Sequence, residues 1–304
     1  MHIYLPIAEV SIPAELFLGM ALMVGFISGV FGVGGGFILT PLLIFSGIPP
    51  AVAVATQSNQ LVASSITGVL GHLRQGNVDI KLGLVMLAGS SLGSIVGIFL
   101  FSLLKYLGQI DVVIAVSYVS MLSVIGSLML IDVINARLKI VKPKEGRERS
   151  WYRKLNERLP YKMRFNRSRI YISALMPAGI GFVGGMLTAV MGVGGGFILV
   201  PAMIYMLRMS PLMVAGTSLF QIIFTSAFTT ILHAIVNKSV DMLLAVILVV
   251  GGAMGAQFGV RFAKYVSGIQ ARTALSLMIL AVAVRLAVDL VVEPEQIYSI
   301  VVRG

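Results

Sequence analysis

The chain has 304 residues, 58% hydrophobic and 12% charged, with a mean hydropathy of +0.98. A soluble domain carries about 25% charged residues, so this composition excludes a water-soluble globular protein and indicates a membrane protein. The net charge of +11 does not indicate nucleic-acid binding, because residues 137–169 hold 13 Lys/Arg and 3 Asp/Glu, and this segment alone supplies +10. A basic loop beside a membrane is typical of the cytoplasmic side, where anionic lipid is its expected partner.

The first half of the chain begins with an apolar segment, Glu15–Phe31, and has no Lys or Arg before Arg74. It therefore lacks the basic start of a signal peptide, and we expect a retained membrane segment. Three glycines and a short apolar segment, Phe37–Phe45, follow. Next come a helix that opens at Pro50 and ends near His72, and two further helices.

The second half repeats this order after a basic linker. Residues 192–201 copy residues 32–41 except that Val200 replaces Thr40, which indicates an internal duplication. The segments are Tyr171–Met191, the second triple glycine, Phe197–Leu207, a helix that opens at Pro211 and ends near His233, and two more helices. We therefore predict a first transmembrane repeat (1–136), a basic cytoplasmic linker (137–169) and a second transmembrane repeat (170–304).

The predicted fold is an all-α polytopic membrane protein with two inverted repeats, glycine-broken helices that could be re-entrant, and eight to ten membrane segments. Inversion follows if each half crosses the membrane an odd number of times. This places the Lys/Arg joints inside and the acidic chain ends outside. Within the linker, Trp151, Leu155 and Leu159 share one face of a short pattern that Pro160 ends. It reads equally as an interfacial helix or as a solvated loop.

Two glycine series recur at matched positions in later helices of the halves. Small residues four apart allow transmembrane helices to approach closely, so we expect both series to pack against other helices. The series are Gly89, Gly93, Gly97 and Gly251, Gly255, Gly259.

The triple glycines are the first candidate substrate site. Glycine lets the backbone turn sharply, and a helix that begins directly afterwards offers unpaired N–H groups and about half a positive charge to an anion. Tight packing of a kinked hairpin is the alternative. No Gly-Lys-Ser/Thr follows, which excludes a nucleotide-phosphate loop. The candidates are Gly34, Gly35, Gly36, Gly194, Gly195 and Gly196.

A polar stripe on the proline-opened helices is the second candidate. Its matched members fall at i, i+4, i+8 and so share one helical face. Such side chains could line a cavity for an oxyanion or bond between helices. The candidates are Thr56, Gln57, Asn59, Gln60 and Ser64 in the first half, and Thr217, Ser218, Gln221 and Thr225 in the second.

Four ionisable residues are candidates for gating or coupling. His72 and His233 match in the two halves, although histidines that cap helix ends are commoner. Arg285 and Asp289 lie one turn apart in the last helix, where an internal ion pair is equally reasonable.

The paired G-V-G-G-G-F-I-L-x-P segments, the polar helices that follow them and the basic central loop resemble the TauE/SafE sulfite exporter family, also called the toluene sulfonate uptake permeases. The resemblance covers essentially the whole chain. It implies a permease of the bacterial inner membrane for small sulfur-containing anions such as sulfite, sulfonates or sulfoacetate.

Two other functions stay open at this point. One is transport of another small organic anion. The other is an intramembrane enzyme, which is disfavoured because the chain has no cysteine, three histidines, and neither an H-E-x-x-H nor a G-x-S-x-G motif. We predict no catalytic residues, no metal site, no cofactor and no nucleic-acid partner.

Overall fold

A computed structural model describes residues 2–32, 34–138, 160–263, 265 and 268–291. Ten α-helices and four short β-strands lie in these ranges. The prediction of an all-α polytopic membrane protein is confirmed. The predicted interfacial helix from Trp151 lies outside the described residues.

The first half begins with an antiparallel hairpin in which His2 pairs with Pro13 and Leu5 with Val10. Five helices follow it. The elements are β1 (His2–Leu5), β2 (Val10–Pro13), α1 (Ala14–Phe31), α2 (Gly36–Phe45), α3 (Pro50–Arg74), α4 (Ile80–Tyr106) and α5 (Ile110–Leu138).

The second half has the same order of elements, and its hairpin pairs Lys162 with Ser173 and Phe165 with Ile170. The elements are β3 (Lys162–Phe165), β4 (Ile170–Ser173), α6 (Leu175–Met191), α7 (Gly196–Tyr205), α8 (Pro211–Leu232), a π-helical turn (His233–Asn237), α9 (Met242–Ala263) and α10 (Gly268–Val291). The inverted orientation of the two halves stays a prediction.

Local sequence explains where the helices begin and end. Gly32 and Gly192 end α1 and α6 with φ of 69° and 70°, a left-handed conformation that glycine adopts without steric cost. Proline opens α3 and α8 at the first helical position, where its missing N–H would have had no partner anyway. Asp79 caps α4 by accepting a hydrogen bond from the Leu82 N–H.

Among the described residues, four helical stretches are long and apolar enough to cross a membrane: Ile80–Tyr106, Ile110–Asn135, Leu212–Asn237 and Met242–Phe262. The helices α2 and α7 have ten residues each. Such a helix is about 15 Å long, half the roughly 30 Å of a hydrocarbon core. The glycine breaks therefore lead into short helices that do not span a bilayer by themselves.

The two glycine series form the tightest helix contacts, as the sequence predicts. A Cβ at Gly89 or Gly93 in α4 would overlap the carbonyls of Ala178 or Phe182 in α6. In the other half, a Cβ at Gly255 in α9 would overlap the Leu22 carbonyl in α1. The two close helix pairs, α4 with α6 and α1 with α9, each combine one helix from each half. The halves are therefore interlocked rather than side by side.

Two features differ from the sequence prediction. The hairpins β1–β2 and β3–β4 were not predicted, and Tyr171 lies in β4 rather than in the first apolar helix of the second half, which begins at Leu175. Alternating residues such as Met163, Phe165, Ile170 and Ile172 pack against an apolar cluster. The apolar residues of strand β4 are followed closely by those of helix α6, so the sequence shows one continuous apolar segment. Hydropathy alone cannot show where the strand ends and the helix begins.

Candidate functional site

The candidate site is built around the two glycine breaks. Gly34 and Gly35 have φ of 91° and 69°, and Gly194 and Gly195 have φ of 78° and 70°. Residues with a Cβ rarely adopt these angles, so the glycines are required for the shape of both turns. All four are buried.

Each glycine break packs against the proline-opened helix of the other half. A Cβ at Gly32 would meet Ala215 of α8, and one at Gly192 would meet Val54 of α3. The breaks also adjoin each other, since a Cβ at Gly36 would lie 2.8 Å from the carbonyl oxygen of Val193. The duplicated motifs therefore form one buried centre.

The N-termini of the short helices α2 and α7 lie at this centre. Their N-cap residues, Gly35 and Gly195, have no side chain, and no side-chain cap is seen at either helix among the described residues. The first N–H groups of a helix have no partner within the helix and carry its positive partial charge. Such a pair of ends can bind an anion without a buried lysine.

One buried amide, Gln57, borders the centre, and Gln60 and Gln221 are buried on the same proline-opened helices α3 and α8. Gln57 accepts a hydrogen bond from the Thr40 hydroxyl at 3.1 Å, but its Nε2 has no partner among the described residues and lies 2.7 Å from the Cβ position of Gly36. Gln60 is fully buried, and neither polar atom of its side chain has a partner there. Gln221 has an unpartnered Oε1. Buried polar atoms are normally paired, so these atoms are available to a ligand.

The predicted stripe on α8 bonds mainly to neighbouring helices. Gln221 Nε2 donates to Thr225 Oγ1 at 2.8 Å, and that hydroxyl lies 2.8 Å from Ser90 Oγ of α4. Ser218 Oγ lies 3.1 Å from the Ala215 carbonyl within α8 and 3.3 Å from the Gly32 carbonyl, so it adjoins the first glycine break.

Thr56 and Thr217 each accept a hydrogen bond from the other half of the protein. Thr56 Oγ1 accepts a hydrogen bond from the Asp241 N–H, and Thr217 Oγ1 accepts one from the Asp79 N–H, both at 3.0 Å. The Thr56 hydroxyl therefore holds the loop before α9, and the Thr217 hydroxyl holds the loop before α4. In both cases the loop belongs to the opposite half. Their structural role is established by these contacts, while a substrate role stays a prediction.

Gln60 and Gln221, the middle members of the two stripes, have different neighbours. Gln60 packs on α9, where Gly252 leaves room for it, whereas Gln221 donates to Thr225, whose hydroxyl lies beside Ser90 of α4. Asn59 Nδ2 donates to the Thr56 carbonyl and Ser64 Oγ to the Leu61 carbonyl, both within α3. Contact of any of these side chains with a substrate stays a prediction.

The matched histidines have unequal surroundings. His72 is half-buried at the end of α3, with its Nδ1 unpartnered among the described residues. His233 is fully buried; its Nε2 lies 2.9 Å from the Ala189 carbonyl and its Nδ1 lies 3.2 Å from Asn237 Nδ2. Of the two histidines, His233 is the one that contacts a residue near a glycine break, because Ala189 lies three residues before Gly192.

The predicted pair in the last helix cannot be followed completely. The Arg285 guanidinium lies 5.7 Å from the centre of the Phe45 ring, at the end of the short helix α2. The Asp289 side chain lies outside the described residues.

Sequence reasoning missed two buried carboxylates. Asp79 receives hydrogen bonds from the backbone N–H and the hydroxyl of Ser168 in one hairpin turn, at 3.0 Å and 2.7 Å. Asp241 receives one from the Ile7 N–H in the other, at 3.0 Å. The matched dipeptides Val78-Asp79 and Val240-Asp241, each just before a long helix, were the available signal.

A comparison with known proteins agrees with this architecture. The family profile described as sulfite exporter TauE/SafE matches residues 17–286. The chain belongs to the TauE/SafE sulfite exporter family. The match covers both glycine breaks and every helix that borders them.

Relatives in this family include two proteins of Bacillus subtilis (strain 168). The probable membrane transporter protein YunE is 27% identical over 248 residues, 79% of this chain and 85% of that protein. The probable membrane transporter protein YjnA is 28% identical over 243 residues, 79% of this chain and 86% of that protein. Sulfite exporter TauE/SafE family protein 5 of Arabidopsis thaliana is 33% identical over 84 residues, 28% of this chain and 19% of that protein. No solved structure matches the chain significantly. The protein is therefore a membrane transporter of the TauE/SafE family.

Proposed function

We propose that this protein moves small sulfur-containing oxyanions, of the sulfite, sulfonate or sulfoacetate class, across the bacterial inner membrane. The meeting of two uncapped helix N-termini at the buried centre carries the proposal. The two helix N-termini carry about half a positive charge each. Together they amount to about one positive elementary charge, which suits a small anion. The family match and the names of the relatives, which are probable membrane transporters, support a transport function.

The uncharged donors around the centre support a carrier rather than a permanent binding protein. A lysine or arginine would hold an anion tightly, whereas amide groups and helix N–H groups bind it with hydrogen bonds that are easily exchanged. Gln57 and Gln60 are suited to this role because their Nε2 groups have no other acceptor among the described residues. The protein acts on its substrate by moving it and not by catalysing a reaction.

We propose export as the favoured direction. An inside-negative membrane potential favours outward movement of each negative charge by about 2.3 kcal/mol per 100 mV. Import of the same anion would require coupling to another ion. In this proposal the linker 137–169 is cytoplasmic, because it carries most of the excess positive charge.

Reconstitution into liposomes tests the function. Purified protein is expected to accelerate the flux of labelled sulfite, a sulfonate and sulfoacetate, and the transported molecules should be recovered chemically unchanged by mass spectrometry. Carboxylates of similar size serve as competitors. Faster flux of the carboxylates would favour the alternative of an organic-anion carrier, and conversion of the recovered molecules would indicate an enzyme. Protein-independent flux of every anion would contradict the transport proposal itself.

A further inference from the structure

The two hairpins have the same fold but differ in charge. Both have four-residue strands in antiparallel pairing, and both have a non-glycine residue in the left-handed conformation just before the second strand: Glu9 at φ 55° and Arg169 at φ 53°. Both bury one face, with Leu5 and Phe165 fully inaccessible. The hairpin therefore depends on its apolar face and its turn.

The charges on the second hairpin are not needed for this fold. Residues 162–173 contain four cations and no acid, whereas residues 2–13 contain no Lys or Arg and one acid, Glu9. Because the first hairpin forms without Lys or Arg, the fold of the second does not require its four cations. They are Lys162, Arg164, Arg167 and Arg169.

Two of these arginines line an open concavity of about 670 Å³. Its other lining residues are Asn166, Ile170 and Tyr171. Arg164 and Tyr171 are register partners and so share the outer face of the hairpin. Two guanidinium forks and an amide are donors that suit an oxyanion, and arginine binds phosphate groups in two-point contacts.

The concavity is held in place by bonds to the rest of the protein. Lys81 Nζ donates to the Arg164 carbonyl and Arg167 Nη1 to the Gly76 carbonyl, both at 3.3 Å. Below the turn, Ser168 is bonded to the buried Asp79. The Asp79 carboxylate also accepts a hydrogen bond from the Leu82 N–H, which ties the hairpin turn to the start of α4. A preorganised site loses less entropy when it binds.

The position of the hairpin indicates where the ligand comes from. Tyr161 and Tyr171 are 76% and 61% exposed, and the apolar helix α6 begins at Leu175 directly after the hairpin. Exposed tyrosines beside the start of a membrane helix are typical of the headgroup level of a bilayer.

We propose that the concavity lined by Arg164, Asn166, Arg169 and Tyr171 binds a phosphate-type oxyanion. Two sources share this chemistry: the headgroup phosphate of an anionic phospholipid in the adjoining leaflet, and a soluble oxyanion. Its position favours the phospholipid. This site is separate from the buried glycine centre and does not depend on the proposed transport function.

The test measures ligand binding to the purified full chain in neutral detergent. Phosphatidylglycerol, phosphatidylcholine, inorganic phosphate and sulfite are titrated separately, with native mass spectrometry to count bound lipid and melting temperature as a second readout. The phospholipid source predicts saturable binding of one phosphatidylglycerol that phosphatidylcholine does not replace and that millimolar phosphate does not displace. Saturable binding of phosphate or sulfite that displaces phosphatidylglycerol identifies the soluble source instead.

Two double variants separate a site from general charge attraction. Arg164→Gln with Arg169→Gln is expected to weaken saturable binding about tenfold or more, because each lost charge-assisted contact costs at least that factor. Arg164→Lys with Arg169→Lys keeps the charge but loses the two-point geometry, and a clear loss is expected here too. Arg74→Gln with Arg261→Gln, two exposed arginines outside the hairpin, is the control. Unchanged binding in the lysine variant, or equal loss in the control, would leave only general attraction and overturn the proposal. So would saturable binding that survives in the glutamine variant.

Discussion

Phe37 and Phe197 stack on each other at the centre of the protein, with ring centroids 4.9 Å apart and planes 19° from parallel. They are the same residue in the two copies of the repeated segment, and each is the second residue of its short helix. Both rings are essentially inaccessible. This stacking fixes the two helix N-termini side by side, so that their partial charges act on the same region. The duplication thus produces a candidate site to which both halves contribute.

The glycine breaks should tolerate no β-branched residue. In Gly35→Val a Cβ would lie 2.9 Å from Val24 Cγ1, and in Gly195→Val 3.0 Å from the Gly184 carbonyl oxygen, both at left-handed φ. We expect each variant to abolish anion flux in proteoliposomes. Gly108→Val is the matched control, because Gly108 has φ +70° but nothing within 4 Å of its Cβ position. If Gly108→Val fails equally, the loss reports backbone strain and not the site.

Gln60→Leu should separate binding from stability. Leucine has a similar size, and the substitution removes two buried polar atoms that have no partner among the described residues. The melting temperature should therefore be unchanged or higher, while anion affinity falls about 10- to 150-fold for one lost bond of about 1.5–3 kcal/mol. Both quantities are measured on the same purified protein.

Gln221→Leu provides the contrast to Gln60→Leu. Its Nε2 donates to Thr225, so this variant should lose about 0.5–1.5 kcal/mol of stability in addition to affinity. Lower stability with normal affinity in both leucine variants would assign the two amides to packing. The Nε2 of Gln57 lies beside the Cβ position of Gly36, so we expect Gln57→Leu to weaken binding as well.

The sequence predicted the helices well but the roles of polar residues only in part. Proline, glycine and apolar runs act locally, so the starts of α3 and α8 and the breaks at Gly32 and Gly192 could be read directly. Whether Thr56 lines a cavity or holds the loop at Asp241 depends on a contact 185 residues away. Helical periodicity gives the face of a side chain but not the element that this face meets.

The loops at Asp79 and Asp241 should depend equally on two threonines. Thr56→Val and Thr217→Val keep the side-chain shape but leave the N–H of Asp241 or Asp79 without its acceptor. Each should cost about 1–3 kcal/mol, measured as a lower melting temperature. Thr67→Val is the control, since its hydroxyl bonds only within α3, to the Ala63 carbonyl. If both variants have normal stability but impaired flux, the threonines contribute to substrate binding rather than to loop stability.

The glycine series should resist even one added methyl group. Gly93→Ala places a Cβ against the Phe182 carbonyl, and Gly255→Ala places one against the Leu22 carbonyl. The added methyl group would push the two helices apart. The lost packing should lower the free energy of unfolding by about 1–3 kcal/mol for each variant. Gly19→Ala in α1, with nothing within 4 Å, should instead be neutral or stabilising by up to about 1 kcal/mol. Equal melting temperatures for all three variants would contradict close packing at these helices.

The hairpins should lie on opposite sides of the membrane if the halves are inverted. The chain has no cysteine, so single cysteines can be introduced at Tyr4 and Tyr161, which are 61% and 76% exposed. The neighbouring Ala8 in the first hairpin is only 4% exposed and would not react. A membrane-impermeant thiol reagent should label Tyr4→Cys from outside and Tyr161→Cys only after the inner face is opened, because the second hairpin is basic and the first is not. Phe99→Cys, in the apolar helix α4 and 72% exposed, should react poorly from either side. Labelling of both hairpin cysteines from the same side would show that the repeats are parallel. In that case the two short helices would enter the membrane from one face, and the inverted model of alternating access would have to be abandoned.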